Sequence, residues 1–392
     1  MIPLMKNTFL KEDETKKALA KFILTSDTLS MGNKCFEFEK KFATWQARRY
    51  AVLFNSGGSA NLALFQALKN LGRIHNDDPV AFSALTWSTN VMPIIQMGLK
   101  PIVVDCEPKI LNVTSRQLLS TIKRHPIKAF FITNALGWTG DLDKIKNLCR
   151  KHKITLLEDN CESLGTVLPT GRAGNFGLAS TFSFFVAHHM STIEGGMACT
   201  DDEDLANMLK IVRANGWDRN LSTKYQDRFR KKYGIKSEYE SKYSFYDLGY
   251  NLRPTEITGF LGLSQLKFLD ANVKKREQNY IKAEKAIYAN PDLICLRRNH
   301  ITTLSPFCMP IICKTPELRD LYHKRFTDAG IEIRPMIAGN IQKQPFYKKY
   351  ILEKNPIDLP GADFIHHNGF YCGNYPDLTP KELDKIISCL KP

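Results

Sequence analysis

Phe182-Ser183-Phe184-Phe185-Val186-Ala187-His188-His189-Met190-Ser191-Thr192-Ile193-Glu194-Gly195-Gly196-Met197 passes from aromatic and small residues of high β propensity into a polar turn and then a glycine pair. The pattern predicts a buried strand ending in a loop that carries side chains into a cleft. A structural turn with two incidental histidines has the same local signature, so the rest of the chain decides between the two.

Working outward, strand and helix signals alternate. Pro79 to Ser83 reads as a strand, Asn90 to Met97 as a helix, Pro101 to Asp105 as a strand, Ser115 to Lys123 as a helix and Lys128 to Thr133 as a strand. Asp141 to Lys151 is again helical and Ile154 to Asp159 extended. Such alternation predicts an α/β fold with a mainly parallel sheet covered by helices on both faces. Ligands of such sheets bind beyond the carboxyl ends of the strands. Asp159, Trp87 and the His188 loop all fall at such ends.

Nearer the start, a charged helix precedes a stretch where Phe38, Phe42 and Trp45 recur at helical spacing. Tyr50 to Phe54 then reads as a strand, Asn55-Ser56-Gly57-Gly58-Ser59-Ala60-Asn61 as a turn, and Leu62 to Leu71 as an apolar helix. Strand, glycine-rich turn and helix aim free N–H groups and a helix dipole at an anion, which makes this a phosphate-site candidate. It has neither the Gly-Lys-Ser/Thr of a Walker loop nor the three-glycine dinucleotide spacing. Asp159 alone would read as a loop residue or a helix cap. Beside a phosphate cradle, an aromatic and a candidate base, its carboxylate suits the protonated nitrogen of a pyridoxal cofactor.

With 392 residues, 43% of them hydrophobic, the chain can bury a large core. No apolar run is long enough to span a bilayer, and Met1 to Glu14 is charged where a signal peptide needs an apolar segment. A cytoplasmic protein is expected. The ten cysteines form no Cys-x-x-Cys or Cys-x-Cys pair, which argues against a zinc ribbon, a redox motif or a disulfide framework. The formal charge is +15, densest between Lys224 and Lys242. Asp227, Glu238 and Glu240 interrupt that run, so it reads as a solvated loop rather than a nucleic-acid track. General positive potential suits a small, multiply anionic substrate.

Gly32 through Phe42, Asn55 through Ala60, Glu158-Asp159 with Gly165, Phe182 through Phe184, Glu194 through Gly196, and Gly249 through Glu256 resemble, in order, the motifs of the sugar-aminotransferase family typified by DegT, DnrJ, EryC1 and StrS. The resemblance covers nearly all of the chain. It implies the type I PLP-dependent transferase (aspartate aminotransferase-like) fold, with a large mainly parallel-sheet domain and a small α+β C-terminal domain. The divisions expected are 1–254 for the N-terminal segment and large domain, 255–290 for linking helices and 291–392 for the small domain. The family's aminotransferases carry a cofactor-anchoring lysine six residues before the Glu-Gly-Gly; that place is His188 here, and no lysine occurs between Lys153 and Lys210. Without the amine there is no covalent anchor, whereas an imidazole can still move protons near neutrality. The replacement resembles the family's nucleotide-sugar 3-dehydratase branch. Lack of a Cys-x-Cys pair sets the chain apart from the iron-sulfur subtype and its reductase partner.

The resemblance implies PLP-dependent chemistry in which glutamate first converts pyridoxal phosphate to pyridoxamine phosphate. The amine then condenses with the C4 ketone of a GDP-4-keto-6-deoxy sugar, hexose or heptose. His188 moves the proton, the C3 hydroxyl leaves as water, and hydrolysis releases ammonia and a 3-deoxy-4-keto nucleotide sugar for dideoxysugar and polysaccharide biosynthesis. Gly57, Gly58, Ser59 and Ser183 are implied to hold the phosphate, Trp87 to stack on the ring, Asp159 to meet its nitrogen and Glu162 its phenolic oxygen. Asn251 is implied to cross from a neighbouring subunit, making a homodimer with a shared site. Arg219, Arg253 and Arg334 are candidates for diphosphate or carboxylate contacts, and His189 for a substrate contact. On extended backbone His188 and His189 would point to opposite sides. No metal, membrane or nucleic-acid partner is implied. Two other readings stay open: a nucleotide-sugar aminotransferase that leaves the amino group on its product, and a non-catalytic binding protein of the same fold.

Overall fold

The computed structural model describes residues 1–351 and 357–392. Nine short strands come first in the chain: β1 (Tyr50–Phe54), β2 (Pro79–Ser83), β3 (Lys100–Val104), β4 (Ala129–Thr133), β5 (Thr155–Asp159), the small hairpin β6 (Val167–Leu168) and β7 (Gly171–Arg172), β8 (Ala179–Ser183) and β9 (Gly196–Thr200). Seven of them form one sheet in the order β1-β9-β8-β5-β4-β2-β3. β8, β5, β4, β2 and β3 run parallel, while β9 runs antiparallel to both its neighbours, β1 and β8. The expectation of a mainly parallel, helix-covered sheet on a type I fold holds.

The period-two alternation of each strand explains the layering. Val52, Phe54, Val80 and Phe82 enter one core with Leu64 and Phe65 of the helix Gly57–Asn70 and with Leu205 and Leu209 of the helix Glu203–Arg213. Ala81, Ile102, Val104, Phe130 and Ile132 face the other side, against Leu118, Leu142 and Ile145. At the β1 end of that side, Leu53, Phe182 and Phe184 pack on Phe38 and Phe42 of the helix Asn33–Gln46. The crossover helices therefore need one apolar stripe each, and the strands are buried on both faces.

The chain then runs through the helices Glu256–Leu266 and Leu269–Ala289. A second, three-stranded antiparallel sheet follows: β10 (Cys308–Ile312), β11 (Ile333–Pro335) and β12 (Gly369–Gly373), in the order β10-β12-β11. The helices Pro316–Asp328 and Pro380–Cys389 cover it through Phe326 and Ile386. The first residues of the chain join this sheet: Ile2 N–H donates to Gly330 O at 2.7 Å and Ile2 O accepts from Glu332 N–H at 2.9 Å.

Three local expectations change. The basic stretch 224–242 is not a loop: Thr223–Tyr233 and Glu238–Ser241 are helical. Tyr225, Phe229 and Tyr233 recur every four residues, and the first two pack on the large core, so an apolar stripe lies under the charges. The helix expected over Asn90 to Met97 is confined to Met92–Gln96, with Pro93 in its first turn. The helix expected from Leu62 begins at Gly57, so the glycine-rich turn is itself the helix N-terminus.

Candidate functional site

Ser56 caps the helix Gly57–Asn70, its Oγ accepting from Ser59 N–H at 3.1 Å. The N–H groups of Gly57 and Gly58, with no intrahelical acceptor at this position, open into a cavity. A Cβ on Gly57 would stand 2.8 Å from Ser183 Cβ and 3.3 Å from Cys161 Sγ. A Cβ on Gly196, under the same turn, would stand 2.2 Å from Ser56 O. Gly196 is required by the close approach of the Ser56 main chain, and Gly57 by the side chains of Ser183 and Cys161. Ser183, at the end of β8, sets its hydroxyl beside this turn. The result is a cup of main-chain donors at a helix N-terminus with the Ser183 hydroxyl at its edge, which fits a phosphate. Ser59 lies behind the cup, its N–H committed to Ser56.

Asp159 ends β5 and is 3% exposed. Its Oδ2 accepts from Asn90 Nδ2 at 2.6 Å and Asn61 Nδ2 at 3.0 Å, and its Oδ1 from Cys161 N–H at 2.8 Å. Every partner is a donor, and the carboxylate lines the cavity, so it can receive one more N–H from a ligand. Glu162, half-buried on the same wall, accepts from Leu136 N–H at 2.9 Å. Burial pushes its carboxyl up to about 7, with Asp159 adding to the rise.

The loop 184–195 is closed at its base, where Phe184 N–H donates to Gly195 O and Thr192 N–H to Phe184 O, both at 2.9 Å. Ile193 within it has φ 71°, a strained conformation for a β-branched residue and one that clusters at functional sites. His188 turns its ring into the cavity. Its Nδ1 lies 2.6 Å from Cys161 O, and burial lowers its pKa to about 4, with Arg276 lowering it further and Asp159 opposing. The backbone around 188–189 is bent rather than extended, yet the two histidines still part company. His189, 1% exposed, meets Ser305 O through Nε2 at 3.0 Å.

The cavity measures about 510 Å³, within the range of small-molecule sites. Of the residues expected from sequence, Gly57, Gly58, Trp87, Asp159, Glu162, Ser183 and His188 line it. Trp87, 56% exposed, overhangs it from the loop after β2. The others lie outside. Arg253 Nε reaches Asn251 Oδ1 at 3.3 Å on the surface, Arg219 sits 5.0 Å over the Trp217 ring, and Arg334 pairs with Glu332 at 2.5 Å. Sequence reasoning missed Phe307 and Tyr371, which close the wall opposite. It also missed Asn61 and Asn90, the amides that hold Asp159. Glu256, part of a recognised motif, is structural: it accepts from the N–H groups of Gly32, Lys34 and Cys35 at 2.8, 2.9 and 3.1 Å.

The model of the DegT/DnrJ/EryC1/StrS aminotransferase family matches residues 10–391. GDP-4-keto-6-deoxy-D-mannose 3-dehydratase of Yersinia pseudotuberculosis is 32% identical over 393 aligned positions, covering 99% of this chain and 98% of the relative. The crystal structure of GDP-4-keto-6-deoxymannose-3-dehydratase with a trapped PLP-glutamate geminal diamine superposes with a TM-score of 0.91 at 32% identity, covering 100% of both chains. The Escherichia coli GDP-4-keto-6-deoxy-D-mannose-3-dehydratase with bound hydrated PLP also superposes at 0.91 and 32% identity, covering 100% of this chain and 99% of that one. The chain belongs to the DegT/DnrJ/EryC1/StrS aminotransferase family.

Proposed function

We propose that this family member is a PLP- and glutamate-dependent 3-dehydratase of a GDP-4-keto-6-deoxy sugar, releasing water and ammonia and leaving a 3-deoxy-4-keto nucleotide sugar. The observation that carries the reading is His188, an imidazole facing the cavity where no lysine stands among the lining residues. Relatives of this length and identity that bind PLP and glutamate support the cofactor and co-substrate.

The residues present fit the cofactor: a donor cup for its phosphate, a buried carboxylate with room for one more donor, and an aromatic overhang. Pyridoxal phosphate, when bound, supplies an amino group taken from glutamate and an electron sink for the sugar carbons. Gly57, Gly58 and Ser183 hold the phosphate, Asp159 accepts from the pyridine nitrogen and Trp87 covers the ring. Glu162 offers its proton to a ligand oxygen. His188 Nε2 would take the proton from the carbon that bears the cofactor's amino group and give it to the C3 hydroxyl, whose C–O bond breaks as water leaves. Phe185, Phe307 and Tyr371 keep bulk water from the imidazole.

Asn251 is exposed and outside its own chain's cavity, which supports a homodimer in which it completes the neighbour's site. No helix among the described residues is long and apolar enough to cross a membrane, in keeping with a cytoplasmic enzyme.

The test is mass spectrometry of the reaction with PLP, glutamate and GDP-4-keto-6-deoxymannose, with ammonia and 2-oxoglutarate assayed alongside. The expected product is lighter than the substrate by one oxygen and forms with both. A product that retains nitrogen would make the protein an aminotransferase and overturn the reading.

A further inference from the structure

Arg276, on the helix Leu269–Ala289, is 1% exposed. Among the described residues its guanidinium donates only to amide oxygens: Asn272 Oδ1 at 2.9 Å, Phe307 O at 2.8 Å, His188 O at 3.4 Å and Asn374 O. Burying a cation without a carboxylate is costly, and burial pushes this arginine's pKa down to about 10. A carboxylate would offset the cost at one point. The oxygens used instead come from its own helix, from the 188 loop and from the segments at 307 and 374.

Two of those segments matter for the reaction. His188 O belongs to the base itself. Phe307 carries the ring that packs 5.1 Å from the His188 ring and 6.2 Å from that of His189. One turn earlier on the same helix, Asn272 Nδ2 donates to His189 O. One side chain thus ties the loop and the aromatic wall to a single rigid helix.

We infer that Arg276 is the positioning residue of the base: held by amide oxygens instead of a carboxylate, it fixes where the His188 imidazole stands and keeps an uncancelled positive charge behind it. The inference rests on the proposed role of His188. Among the described residues, the charged and titratable groups around that ring are Asp159, Cys161, Glu162, Glu194 and Tyr371 on the cavity side, and His189, Arg276 and Asp377 behind. Burial and Arg276 favour the neutral ring, while the Cys161 carbonyl and Asp159 favour the imidazolium. Without the guanidinium the balance moves toward the imidazolium, which shows in the acid limb; near neutrality the ring stays neutral, and a loss of kcat there reports lost placement.

The experiment compares Arg276→Gln and Arg276→Lys in the full chain. The His188 ring proton, assigned with His188→Asn, is titrated by NMR in the cofactor-free protein, and the pH dependence of kcat/KM is measured with PLP and glutamate. Arg276→Gln raises the His188 midpoint by about half a pH unit or more, moves the acid limb with it and lowers kcat about 10-fold. Arg276→Lys keeps the midpoint and loses kcat, because an ammonium cannot reach all the oxygens. A wild-type midpoint and kcat in Arg276→Gln overturns the inference. Should neither fold, Asn272→Ala frees one side of the guanidinium but leaves its charge; kcat falls several-fold, and an unchanged kcat overturns the inference. The NMR midpoint needs neither cofactor nor substrate, so this inference can fail while the proposed reaction stands, and the reverse.

Discussion

His188 Nδ1 stands 2.6 Å from Cys161 O, and because a carbonyl only accepts, the proton of the neutral ring is on Nδ1 and the lone pair on Nε2. Cys161 N–H is at the same time 2.8 Å from Asp159 Oδ1. One residue's backbone therefore orients both the imidazole and the buried carboxylate.

Replacing His188 with Asn removes Nε2 while keeping a group that can reach Cys161 O. Dehydration is expected to fall about 10²- to 10⁴-fold, the usual worth of a positioned acid–base group. The visible absorbance of bound PLP should persist, since the phosphate cup and Asp159 are untouched. Loss of cofactor along with activity would mean that His188 serves binding rather than proton transfer.

Acid should destabilise the cofactor-free protein in a defined window. His188 takes its proton near pH 4 when folded and near 6.5 when unfolded, and His189 is lowered still further by burial. Between those values the unfolded chain binds more protons, so stability is complete above about 6.5 and drops as pH falls toward 4. Melting temperatures measured across this range, with and without His188→Asn, check it: the variant should lose less.

Glu162 predicts the opposite sign in the same region. Its carboxyl rises from 4.5 to about 7 in the folded chain, so its share of stability is present below 4.5 and is lost as pH rises through 7. Glu162→Gln imitates the protonated form at every pH. We expect it to bind PLP and to flatten any inflection near pH 7 in the bound cofactor's spectrum, read by titration in the spectrophotometer.

Gly196→Ala would press a methyl group into Ser56 O and Gly57 N, at 2.2 and 2.5 Å. Overpacking of this kind costs about 1–3 kcal/mol. Here it distorts the phosphate cup, so PLP affinity by fluorescence titration should fall about 10-fold or more. Gly234→Ala, where a Cβ would meet nothing within 4 Å but φ is 71°, strains the backbone outside the cup and should leave PLP affinity unchanged.

Strand-borne features were legible in the sequence because they depend on local pattern. Asp159 and Ser183 end buried strands, and Asn55 through Asn61 announces a strand-to-helix turn. Phe307 and Tyr371 were not legible: both come from the far end of the chain and enter the cavity only through the docking of the three-stranded sheet. Asn61 and Asn90 were hidden for another reason, since an amide that holds a carboxylate has no spacing to betray it. The helix Thr223–Tyr233 was masked by its charges, although its aromatic stripe was there to be read. Arg219, Arg253 and Arg334 were named for their chemistry, but each already has a partner within its own chain.

The pairing of Phe184 with Gly195, and the seating of Gly196 under Ser56, have a consequence for how such a protein can change. The feet of the loop are registered against the phosphate cup by main chain and by the Ser183 and Thr192 hydroxyls, none of which involves the side chain at 188. The side chain proposed to react can then be exchanged for another while the main-chain contacts around the cup stay as they were. A single codon separates scaffold from chemistry, and new reactions can be tried without rebuilding what holds the ring.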